Sequence, residues 1–119
     1  MNAIDLGMPS TACVHTSDTA PTAHDVPGAR VVHIHDVTGT VLHAIAHALA
    51  FPAHFGDNWD ALVDCLRDID DRALVLVVHH ATLWFTQHPR AVGKLVETWV
   101  ALADEHVQQS RARHLVFVW

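Results

Sequence analysis

From Arg30 onward the hydrophobic positions fall into regular patterns. In "RVVHIHDV", Val32 and Ile34 alternate with His33 and His35, the two-residue period of a strand. Val41, Leu42, Ile45, Ala46 and Leu49 then recur at helical spacing behind Thr38 or Thr40 as the N-cap, and Phe51-Pro52 ends that helix. A second helix is predicted from an Asp57 or Asn58 cap to about Ile69. "ALVLVVHH" at 73–80 is apolar at nearly every position, as a strand covered on both faces should be. "ATLWFTQH" reads as a helical turn. Pro89 is placed to start a longer helix to about Gln109, with Leu95, Val96, Trp99, Leu102 and Ala103 facing inward. "HLVFVW" closes the chain as a third strand.

This order predicts a single α/β domain: a small three-stranded parallel sheet packed with three to four helices. Residues 1–29 are rich in Pro, Thr, Ser, Asp and Ala without sustained periodicity, and are expected to form a flexible N-terminal tail. Residues 30–119 are expected to be the folded domain, with removal of 1–28 leaving it intact.

Composition narrows the partners. The 119 residues suffice for one domain with a real core, and 50% of them are hydrophobic. Seven basic against thirteen acidic residues give a formal charge of −6, which disfavours nucleic acid and anionic membranes and suits a basic protein. Cys13 and Cys65 form no disulfide framework and are expected to be reduced. "MNAIDLGMPSTACVHTSD" lacks a basic n-region and a long apolar run, and "ALVLVV" is too short to span a bilayer. A cytoplasmic protein, monomeric when free, is the expectation.

The segment "FPAHFGDNWDALVDCLRDIDD" holds Asp57, Asp60, Asp64, Asp68, Asp70 and Asp71. At 100° per residue, Trp59, Leu62, Cys65, Leu66 and Ile69 fall within about 120° of one another and form a core stripe, while Asp60, Asp64 and Asp68 fall on roughly the opposite side. Like charges at i, i+4 repel, and Arg67 beside them relieves only part of the repulsion. The helix dipole favours Asp57 and Asp60 at the N-terminus but not Asp68, Asp70 and Asp71 at the other end. Such a stripe is either a solvated face or a contact surface for a cation-rich partner.

The wording "FPAHFGDNWDALVDCL" resembles the signature of the barstar family of ribonuclease inhibitors. The shared pattern is an apolar residue and Pro, an aromatic followed by Gly, then Asn, an apolar residue, Asp-Ala-Leu, Asp and Leu, all in register. The element order from about residue 30 to 119 fits as well. The resemblance implies a non-enzymatic inhibitor, without cofactor, that blocks the basic active site of a guanyl-specific, extracellular-type ribonuclease as an immunity protein. By position, Asp64 stands at the family's main aspartate, which enters the enzyme's phosphate site, and Asp60 at a second contact aspartate. The loop His54, Phe55, Gly56, Asp57 and Asn58 stands where the family covers the enzyme's catalytic groups. With Val63, Arg67 and Asp68, these residues make up the expected partner-binding face. His54 and Val63 replace residues that are commonly aromatic, and Phe55 replaces a tyrosine. The family's contact glutamate on the last helix falls by ungapped count on Ala101, with Glu97 and Glu105 one turn either way, so that role is not carried over. Two alternatives are an immunity protein against a different basic toxin and a non-inhibitory acidic interaction module.

Twelve histidines raise the question of metal or catalysis. His43 and His47 stand at i, i+4 on the first helix, His33 and His35 share a strand face, and His79 and His80 point oppositely if their strand continues. No converging third ligand is evident, so no metal site is expected. General acid–base chemistry by Asp60, Asp64 and His54 would need a concave site that a convex helix does not supply.

Overall fold

The computed structural model describes residues 13–22, 25–26, 28–35, 39–52 and 58–119. In chain order these form β1 (Val14–Ser17), β2 (Arg30–Ile34), α1 (Val41–Ala48), α2 (Trp59–Arg67), β3 (Ala73–Val78), α3 (Ala81–Gln87), α4 (Pro89–Val107) and β4 (Ala112–Val118). All strand pairs are parallel, in the order β1-β4-β3-β2.

The α/β architecture follows the sequence pattern, but among the described residues the sheet has four strands, not three. The additional strand, "VHTS", comes from within the segment expected to be a tail. It carries one apolar residue in four, too short a pattern to register as a strand. Its place comes from β4: Leu115 N–H donates to the Cys13 carbonyl at 2.8 Å, and Val14 pairs with Leu115. A strand edge left open would carry unpaired backbone groups, and β1 satisfies them on this side of β4.

Side-chain alternation divides the sheet between two apolar clusters. Leu74, Leu76, Val78, Leu115, Phe117 and Ile34 pack beneath α1, α2, α3 and α4, meeting Leu42, Ile45, Leu62, Leu66, Trp84, Leu95 and Trp99. The opposite face presents Val75, Val77, Val116 and Val118, covered in part by Ala20, Val26 and Ala29. Val26 is buried there, so residues on both sides of β1 contribute to the fold. Double coverage explains why β3 is apolar throughout.

Local signals set the helix ends. Thr40 Oγ1 accepts from the His43 N–H at 3.1 Å, starting α1. At its other end Ala50 adopts the left-handed region (φ 55°), while Phe51 N–H donates to the Ala46 carbonyl and Ala50 N–H to that of His47. This pair of bonds is the Schellman arrangement, here closed by alanine rather than glycine.

Buried Arg113 ties the exit of α2 to β4. Its guanidinium donates to the carbonyls of Ile69 (2.7 Å), Asp71 (2.8 Å) and Ala112 (2.8 Å). Burial, with Arg111 nearby, pulls its pKa down to about 10, so it stays charged at neutral pH.

Candidate partner-binding face

The candidate face is built on α2. Asn58 Oδ1 accepts from the Ala61 N–H at 2.8 Å, so Asn58 is the N-cap. Leu62 and Leu66 are fully buried, while Trp59 is half-buried against the same core. Anchoring that stripe turns Asp60, Asp64 and Asp68 outward, and all three are exposed. Val63 and Cys65 are half-buried at the margins. Burial, then the carboxylates of Asp68 and Asp64, push the Cys65 thiol up and keep it protonated.

Arg67 joins this face to α4. Its Nη1 lies 3.8 Å from Asp64 Oδ1, and its Nε lies 3.2 Å from Glu105 Oε1 and donates to Oε2 at 3.2 Å. Half-exposed pairs of this kind contribute less than about 1 kcal/mol to stability. Their effect is orientation: Arg67 is drawn toward Glu105, and the Asp64 side chain remains 78% exposed. A groove of about 270 Å³ runs between α2 and α4, lined by Val63, Arg67, Glu97, Thr98, Ala101 and Glu105 among others. Glu97 and Glu105, one turn either side of Ala101 in the sequence, therefore border the same groove as Val63. His54, Phe55, Gly56 and Asp57 lie outside the described residues.

The structure supplies the third converging imidazole that the sequence left unseen beside His33 and His35. β3 ends at Val78, His79 N–H donates to the Ile34 carbonyl at 2.9 Å, and His80 takes a left-handed backbone (φ 56°) that redirects the chain. The parallel pairing of Ile34 with Val78 then puts His79 beside His33 of β2 and His35 just beyond it. His33 Nδ1 lies 2.9 Å from His79 Nε2, and the His35 ring stacks on that of His79 with centroids 4.2 Å apart. Burial and the neighbouring imidazoles lower the pKa values of His33 and His79. His15 and His114 form a second close pair, with Nε2 and Nδ1 2.9 Å apart. Sequence reasoning missed the three-histidine cluster because strand register, not spacing along the chain, creates it.

The family model described as Barstar (barnase inhibitor) matches residues 29–118, three quarters of the chain. The chain belongs to the barstar family. Barstar-family members are inhibitors rather than enzymes, and membership implies a ribonuclease-inhibitor-like function and binding to a ribonuclease. The matched region runs from just before β2 through β4, leaving β1 outside it. No curated protein and no solved structure matches the chain. Among the described residues no helix is long and apolar enough to cross a membrane.

Proposed function

We infer that this protein inhibits a guanyl-specific ribonuclease of basic active site, acting as an immunity protein in the cytoplasm of the cell that makes the enzyme. The supporting observation is the exposed row Asp60, Asp64 and Asp68 on α2, within the part of the chain that matches the family. A carboxylate held on a rigid helix can stand in for a substrate phosphate while offering no bond to cleave. Arg and Lys side chains in the enzyme bind it through charge-assisted hydrogen bonds. In this reading Asp64 enters the phosphate site and Asp60 makes a second contact. The loop His54, Phe55, Gly56, Asp57 and Asn58 covers the catalytic groups, and Val63, Arg67 and Asp68 complete the face. Glu97 and Glu105 extend its acidic rim onto α4. Repulsion among the aspartates of the free helix is relieved by the cationic partner.

Titrating an RNA-cleavage assay with the protein tests this directly. Cleavage should stop near equimolar inhibitor. Asp64→Ala should weaken inhibition by at least about 2 kcal/mol, because truncation leaves an enzyme cation buried without its partner. Asp60→Ala should cost less. Neither change should lower stability by more than about 0.5 kcal/mol, since the lost dipole interaction of Asp60 or exposed Arg67 pair of Asp64 is offset by removal of a like-charged neighbour. Inhibition that is unchanged in the Asp64 variant would refute the assignment of this face.

A second reading has its own support. His54 and Val63 stand where aromatic residues are common, Phe55 lacks the hydroxyl of the tyrosine it replaces, and Val63 lines the groove beside α4. These differences favour a ribonuclease of altered surface, or another basic toxin, if the guanyl-specific enzyme is left uninhibited.

A further inference from the structure

The carboxyl ends of β2 and β3 bring together three imidazoles that the inhibitory reading does not use. One donor nitrogen from each of His33, His35 and His79 lies within 4.8 Å of the other two. Tetrahedral coordination with metal–nitrogen bonds of 2.0–2.1 Å sets donors roughly 3.3 Å apart. His33 Nδ1 and His79 Nε2, at 2.9 Å, are already close to that spacing. His35 is exposed just beyond the end of β2, and rotation of its side chain would close the remaining distance. We propose that His33, His35 and His79 form a three-imidazole binding site for a divalent transition-metal ion such as zinc.

The donor chemistry selects the ion. Three neutral nitrogens without a carboxylate suit zinc, nickel or copper and not calcium or magnesium, which require oxygen. The imidazoles of His33 in β2 and His35 just beyond it stack on one side of the strand, and the His79 backbone N–H is held by the Ile34 carbonyl. A cleft of about 370 Å³ lies beside His33 and His35 and is also lined by His43 and His47 of α1. Parallel α/β sheets place ligand sites at the carboxyl ends of their strands, as here.

Calorimetric titration of the full chain with zinc, near neutral pH, should give one ion per chain. His35→Ala and His79→Ala should each weaken binding by at least about tenfold, since even changes to groups behind metal ligands cost that much. Paired His15→Ala/His114→Ala and His43→Gln/His47→Gln variants should bind zinc as the unaltered protein does. Imidazole NMR resonances of the unaltered protein should shift on zinc addition at His33, His35 and His79 above all, a readout that does not depend on any variant folding. Absence of binding at millimolar zinc would overturn the proposal. So would loss of binding only in the His43/His47 variant, or resonance shifts concentrated at other histidines.

Discussion

Arg113 shows how one side chain connects the packing of the core to the presentation of the candidate face. Its guanidinium holds the Ile69 and Asp71 carbonyls, which belong to the turn leaving α2. The helix that carries Asp60, Asp64 and Asp68 is thereby fastened to β4. Removing the guanidinium would leave carbonyls buried without donors and open a cavity in place of a large side chain. Arg113→Ala should therefore lower unfolding free energy by about 3 kcal/mol or more, measured by urea denaturation. A change within about 0.5 kcal/mol, the range of ordinary surface substitutions, would show that water replaces these bonds without cost.

At the scale of elements, β1 is the part whose role changes most between sequence and structure. Cys13 is buried and Val14 packs against the main cluster, while the strand closes one edge of β4. Deleting residues 1–18 should reverse each of these effects. Loss of the buried Cys13 and Val14 surface should lower stability by about 2 kcal/mol or more. Exchange of the Leu115 amide, which donates to Cys13, should accelerate markedly. Both follow from one comparison of the truncated and full chains by urea unfolding and amide hydrogen exchange. A truncated protein with the same stability and the same Leu115 protection would mean that β1 is dispensable.

For the whole molecule, buried imidazoles and the acidic surface predict responses to pH and salt. Burial, followed by Arg113 and Arg111, lowers the pKa of His106, with Glu105 opposing and Arg67 adding to the shift. His15 is lowered by burial and by His114. Each binds its proton more readily in the unfolded chain than in the native one, so acidification favours unfolding. This stability is present above the ordinary histidine pKa of about 6.5 and is lost as pH falls below it, by up to about 1.4 kcal/mol per pH unit for each group. Urea midpoints of the metal-free protein should therefore decline on acidification through that range, and His106→Gln should flatten the decline if it still folds. Salt separates steering from contact. With a formal charge of −6 and a basic partner, association in stopped-flow mixing should slow steeply with added salt while dissociation changes little. Association rates flat in salt would mean that the acidic face is ordinary solvated surface.

The sequence by itself determined what depends on local spacing. Alternation in "RVVHI", the unbroken apolar run of β3, a cap at Asp57 or Asn58 and the two faces of α2 are all encoded within a few neighbouring residues, where side-chain direction follows from helix or strand geometry. The family signature lies in that same local stretch. Tertiary structure decided what depends on partners distant in the chain. "VHTS" becomes a strand because β4 offers it an edge, and its own pattern could not show this. Glu97 and Glu105 line the same groove as Val63 only because α4 lies beside α2. His79 joins His33 and His35 because parallel register, set by backbone hydrogen bonds between β2 and β3, overrides a separation of more than forty residues.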